Sequence, residues 1–115
     1  MKNKGIAEKT LLLVDMGNTC MLIGLYRGDA LLGRWQLSSQ RSLTADELAL
    51  KLRGLLDSLP EMQGGARLGG VMAASVVPHL DPVLSAACEQ VFAMLPAFVG
   101  TSGVKTGMAV DYKNP

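Results

Sequence analysis

Apolar residues in this chain come in short runs broken by polar, glycine-containing segments. Leu11–Val14 (LLLV) runs into Asp15, the small segment Gly17-Asn18-Thr19 follows, and apolar residues resume at Met21, Leu22, Ile23, Leu25 and Tyr26. This pattern predicts a buried strand over Thr10–Asp15, a tight polar turn, and a second strand over Cys20–Arg27. Arg27-Gly28-Asp29 is a further turn signal, with Gly28 able to supply the positive φ that a tight hairpin requires. Ala30–Leu37 (ALLGRWQL) then reads as a third strand. Connections this short join antiparallel neighbours, so the first third of the chain is a three-stranded meander.

The period then changes. Thr44-Ala45-Asp46-Glu47 has the spacing of a capping box, and Leu48, Leu52, Leu55, Leu56 and Leu59 recur at helical intervals up to Pro60. A helix over Ala45–Leu59 is predicted. Glu61–Arg67 is a glycine-rich loop, and Leu68–Ser75 (LGGVMAAS) is a short apolar segment that suits a buried parallel strand after a crossover helix. Val83, Leu84, Ala87, Cys88, Val91, Phe92 and Leu95 mark a second amphipathic helix over Asp81–Leu95. Asp81 stands where an N-cap is expected and Pro82 at the first helical position. Pro96–Val99 is a last short strand. The order β-β-β-α-β-α-β defines an α/β fold with a mixed sheet and helices on one or both faces.

Composition narrows the functions available. At 115 residues, with 49% apolar residues, the chain forms one domain or part of one. Its net charge of +1 and its aromatic content of 4% argue against a nucleic-acid surface. Cys20 and Cys88 are far apart in sequence and His79 is the single histidine, so no zinc set forms and free thiols suited to a reducing cytosol are expected. The run at Leu11 is too short to span a bilayer, and no signal peptide is evident in the polar leader over residues 1–9.

One stretch carries candidate chemistry. Asp15-Met16-Gly17-Asn18-Thr19 places a carboxylate, a flexible backbone and a hydroxyl together, as needed to hold hydrated Mg²⁺ and a phosphate. Asn and Gly are also favoured in ordinary hairpin turns, so both readings stand on the pattern alone. An acid closing an apolar strand favours the functional one, because burying it unpartnered is costly. Gly100–Gly107 (GTSGVKTG) resembles a phosphate loop but lacks Walker A spacing, since Val104 separates Gly103 from Lys105. His79 has no nucleophile and acid beside it in any triad pattern. Ser75 falls at a strand end turned by Pro78.

Taken in order, VDMGNT (Val14–Thr19), LYRGDALLGRWQLS (Leu25–Ser38), TADE (Thr44–Glu47), SVVP (Ser75–Pro78), GVKTG (Gly103–Gly107) and DYKNP (Asp111–Pro115) resemble the N-terminal portion of type III pantothenate kinases. The resemblance covers about residues 10–115 and implies an actin-like/sugar-kinase ATPase (ribonuclease H-like) half-domain over residues 10–100. Residues 101–115 would then begin the segment leading to a second half-domain. It implies transfer of the ATP γ-phosphate to pantothenate, the first step of coenzyme A synthesis, with Mg²⁺ and a monovalent cation (K⁺ or NH₄⁺), in a cytoplasmic homodimer.

By the same resemblance, Asp15, Met16, Gly17, Asn18, Thr19, Cys20, Met21 and Leu22 form the phosphate-binding turn, with Asp15 positioning the metal. Gly103, Lys105, Thr106 and Tyr112 would lie on the pantothenate side. Cys20 and Met21 stand where the family usually has polar residues, so contacts to phosphate shift toward the backbone. The family's Gly-Ala-Asp-Arg segment, whose Asp is taken as the catalytic base, is expected beyond Pro115, so these residues alone are expected to be inactive. Some members of the family have been labelled Bvg accessory factors, and a non-catalytic regulatory or interaction role is the rival reading. A half of a two-domain protein would also expose apolar surface that its other half covers.

Overall fold

The computed structural model describes residues 9–63 and 67–100. Five strands form one mixed sheet: β1 (Thr10–Met16), β2 (Cys20–Arg27), β3 (Ala30–Ser38), β4 (Gly70–Ser75) and β5 (Ala97–Phe98), in the order β3-β2-β1-β4-β5. The first three pair antiparallel, and β1–β4 and β4–β5 pair parallel. Helix α1 (Ala45–Asp57) connects β3 to β4, and α2 (Asp81–Phe92) connects β4 to β5. Both connections step across the sheet in the same direction. Right-handed crossovers therefore place both helices on the same face.

The core lies between that face and the helices. Side chains alternate along a strand, so Leu12, Val14 and Met16 of β1 point under the helices together with Met21, Ile23 and Leu25 of β2 and Val71 and Ala73 of β4, all buried. Leu48, Leu52 and Leu56 of α1 and Leu84, Ala87 and Cys88 of α2 close the core from above. The two helices pack on each other, and Gln90 Nε2 donates to Asp46 Oδ1 at 2.9 Å between them.

Strand β1 is buried on one side only. Among the described residues Leu13 stays 37% exposed and Asp15 is exposed, on the face without helices. The sequence pattern predicted burial of the whole apolar run, because a parallel pair is normally covered on both faces.

Helix α1 begins as expected. Thr44 is its N-cap: the Glu47 amide donates to Thr44 Oγ1 at 3.1 Å, and the Thr44 amide donates to Glu47 Oε1 at 2.9 Å. It ends two residues before the expected Leu59. The Ser58 amide satisfies carbonyls of the last turn, the Ser58 hydroxyl donates to the Leu55 carbonyl at 2.6 Å, and Pro60 opens a short 3-10 turn, Pro60–Met62. Helix α2 departs further from expectation. Asp81 is not an N-cap: a 3-10 turn, Pro78–Leu80, leads straight into the helix, Leu80 holds the cap position, and Asp81 is already helical. The turn's own bonds replace a side-chain cap, and Asp81 Oδ1 is buried without a partner. At its other end α2 stops at Phe92, before the expected Leu95, because Ala93 adopts a left-handed conformation (φ 58°). Among the described residues no helix is long and apolar enough to cross a membrane.

The backbone and side-chain hydrogen bonds from Thr44 hold the Glu47 carboxyl below its ordinary pKa of 4.5. A carboxylate whose folded pKa is depressed contributes stability above its unfolded pKa and loses it as pH falls through the folded value. Glu47→Gln should therefore flatten the fall in unfolding free energy between neutral pH and the region below 4.5, as measured by urea denaturation across pH. Thr44→Ala should lower stability at pH 7 by about 1 kcal/mol.

Candidate phosphate-binding turn

Two hairpins with two-residue loops sit side by side in this sheet, and their backbones differ. In the β2–β3 hairpin Arg27 pairs with Ala30, and Gly28 at the first loop position has φ 59°. That is where a type II′ turn, the kind suited to a twisted hairpin, places glycine. In the β1–β2 hairpin Met16 pairs with Met21, and the Gly17 amide donates to the Cys20 carbonyl at 3.0 Å, leaving Asn18 and Thr19 as the loop. None of Gly17, Asn18 and Thr19 has positive φ. The favoured hairpin geometry is absent here. Gly17 serves close approach instead: a Cβ at this position would sit 3.1 Å from the Cys20 carbonyl oxygen.

Contacts from distant parts of the chain hold this turn. The Ser39 amide, just past β3, donates to the Thr19 carbonyl at 2.9 Å, and the Val76 amide, just past β4, donates to the Met16 carbonyl at 3.1 Å. Among the described residues the amides of Asn18 and Thr19 have no acceptor, and both residues are exposed. Two adjacent free amides on a fixed backbone are suited to an anion. Asp15 is the last residue but one of β1, three residues before Asn18, with its side chain exposed. Its charge stays in water, so no burial cost sets this acid apart, contrary to the expectation from the sequence. The geometry of the loop supports the functional reading instead.

The remaining residues of the turn divide by face. Met16 and Met21 are buried under the helices and can meet a ligand only through their backbone. Cys20 is half-buried at the start of β2, and Leu22 is half-buried on the open face beside Asp15. Ser75 pairs with Met16 at the end of β4, and its hydroxyl accepts from the Val77 amide at 3.0 Å, so it shapes the bend. His79 is exposed on the 3-10 turn before α2. Burial in the core pushes the Cys88 thiol up to about 12, which keeps it protonated and unreactive. Gly103, Lys105, Thr106 and Tyr112 lie outside the described residues. Sequence reasoning did not single out Ser39 and Val76 as anchors of the turn. Ser39 Oγ is itself buried without a partner, and no local pattern marks either residue.

Among the described residues no group of three His, Cys, Asp or Glu side chains could cage a metal. A single exposed carboxylate beside free amides does fit Mg²⁺, which keeps several waters and is shared with substrate phosphates.

The architecture belongs to a known class. A structure search matches the chain to the ROK hexokinase of Thermus thermophilus with a TM-score of 0.52 at 16% identity, covering 77% of this chain and 34% of that one. The likeness is one of fold: this sheet with its two one-sided helices has the actin-like/sugar-kinase arrangement of that structure. The sequence narrows the class further. The family model for type III pantothenate kinase matches residues 11–115, and the chain belongs to that family.

Curated relatives named type III pantothenate kinase include those of Halalkalibacterium halodurans (34% identical over 106 residues), Anaeromyxobacter dehalogenans strain 2CP-C (40% over 105) and Dehalococcoides mccartyi (38% over 113). These matches cover 91%, 91% and 98% of this chain but 40%, 40% and 42% of the relatives. The chain thus spans about two-fifths of the length of the curated relatives it matches.

Because Asp15 is exposed and sits outside the helix-covered core, Asp15→Asn should change unfolding free energy by less than about 0.5 kcal/mol. Val14→Asn, one residue earlier and buried, should cost several times more, since it puts an amide in the core. Thermal melts of the two variants check this contrast.

Proposed function

We propose that residues 10–100 form the ATP-phosphate-binding half of a kinase that phosphorylates pantothenate in coenzyme A synthesis. The observation that carries this reading is the loop at Asn18 and Thr19. It joins β1 to β2 without the positive φ of the favoured hairpin turns, is anchored from two other strand ends, and leaves two amides free beside the Asp15 carboxylate.

Phosphoryl transfer spreads negative charge over the transferred group, and catalysis is mostly positioning and charge stabilisation. The Asn18 and Thr19 amides and the Thr19 hydroxyl donate to phosphate oxygens. Asp15 would help hold hydrated Mg²⁺, which when bound would neutralise charge on the phosphates. Gly103, Lys105, Thr106 and Tyr112 are assigned to the pantothenate side. The base that takes the proton of the pantothenate hydroxyl, the K⁺ or NH₄⁺ site and the second half of the cleft belong to the part of the family's length that this chain does not span. The whole kinase acts as a homodimer on this reading.

Two outcomes are expected. In ¹H–¹⁵N spectra of the chain, millimolar Mg·ATP should move the Asn18 and Thr19 amides first. Asp15→Asn should remove the Mg²⁺-dependent part of the shift while leaving the response to phosphate. Shifts confined to other residues would overturn the assignment. Incubated with Mg·ATP and pantothenate, the 115-residue chain should form no phosphopantothenate; turnover in a coupled ADP assay would show that no further base is required.

A further inference from the structure

The loop at Asn18 and Thr19 is anchored by two amides from other strands, and one of them, that of Val76, depends on a neighbouring side chain. Val76 stands one residue past β4. Its amide donates to the Met16 carbonyl at 3.1 Å and so extends the β1–β4 ladder beyond its last pair, Met16 and Ser75. The Val76 side chain does not fix that position, since it is 67% exposed. The residues on either side do. Val77 is buried and turns the chain away from the sheet, and the Leu80 amide donates to the Val77 carbonyl at 2.9 Å. The Val77 amide is taken by the Ser75 hydroxyl, at 3.0 Å in a part-buried site. Leaving a donor unpaired there is costly.

Ser75 stands where an apolar residue would be expected. Side chains alternate along β4, and Val71 and Ala73, buried under the helices, are followed at the same spacing by Ser75. Its partner on β1 is the fully buried Met16. A hydroxyl on the core side of a strand end adds little to packing, and the bond to Val77 gives it a use. Pro78 follows Val77 and has no amide to give. Among the described residues the Ser75–Val77 bond is the one side-chain hydrogen bond in the bend 75–80. At the other anchor the Ser39 hydroxyl is buried without a partner, so Ser39 reaches the loop through its backbone alone.

We propose that Ser75 is a positioning residue for the phosphate-binding turn. Its hydroxyl sets the Val77 amide, the bend so held keeps the Val76 amide on the Met16 carbonyl, and that bond fixes the backbone from which the Asn18 and Thr19 amides point. Ser75 acts through Val76 and does not itself touch the nucleotide. The role rests on the kinase reading of the turn. A Ser75 that served the fold alone would raise stability and leave the affinity of the folded chain for phosphate unchanged; a positioning Ser75 sets that affinity.

Two readouts on the 115-residue chain test this, at a temperature where far-UV circular dichroism shows every variant folded. Without nucleotide, Ser75→Ala should speed amide hydrogen exchange at Val76 and Val77 by about tenfold, while Val14 and Ile23 in the interior of the sheet keep their protection. With Mg·ATP, the concentration that half-saturates the Asn18 and Thr19 amide shifts should rise about three- to tenfold in Ser75→Ala, and should return to within about twofold of the unsubstituted value in Ser75→Thr, which keeps the hydroxyl. Unchanged exchange at Val76 overturns the proposal. So does a response at the turn whose half-saturation Ser75→Ala leaves alone, or a Ser75→Thr chain as weak as Ser75→Ala; the kinase reading then stands. No Mg·ATP response at Asn18 and Thr19 in the unsubstituted chain overturns the kinase reading, and the role of Ser75 with it.

Discussion

The alternation of side chains along β1 is the constraint on which the other elements depend. Leu12, Val14 and Met16 must face the helices, and this sends Leu11, Leu13 and Asp15 to the other side. A slip of one residue against β2 or β4 would put the Asp15 carboxylate under α1 and α2 and expose Met16. Both neighbours enforce the same register, β2 antiparallel and β4 parallel, so the strand is held on two edges. That register brings Asp15 to the end of the sheet with its charge in water, and it places the loop at Asn18 and Thr19 beyond the last paired residues.

The fold supplies the rest of the site through strand ends that converge. β1, β3 and β4 all run in the same direction, so Met16, Ser38 and Ser75 finish at the same edge of the sheet. The amides of Ser39 and Val76 just beyond those ends hold the loop between them. The comparison with the β2–β3 hairpin shows what this anchoring does. At Gly28 the loop is shaped by its own residues, with a positive φ in a glycine. At Asn18 and Thr19 the loop is shaped by neighbours, and its amides make no hydrogen bond among the described residues. Ligands of open α/β sheets commonly bind outside the carboxyl ends of the strands, and this loop lies there.

Placing both helices on one face has a second consequence. One side of the sheet is a closed core; the other carries an apolar floor bordered by Asp15 and Arg34. The chain spans about two-fifths of the length of the curated relatives it matches, and the open face is a surface on which further polypeptide can pack. The loop at Asn18 and Thr19 sits at the rim of that face rather than within its concavity, with Asp15 at the border between them.

The sequence by itself determined the elements, their order and the location of the candidate chemistry. The switch from alternating to helical periodicity, the Thr44–Glu47 capping box, Gly28 and Pro60 are local signals, and each acts within a few residues of where it stands. The motifs from Val14 to Pro115 also carried the family, since short patterns in a set order survive without any structure. Only the tertiary structure decided that Leu11 and Leu13 face away from the helices, that Asp81 is inside its helix rather than capping it, and that Ser39 and Val76 anchor the turn. Each of these depends on which segments meet across the sheet. Crossover handedness and strand register set those meetings between residues tens of positions apart, and local composition carries no trace of them.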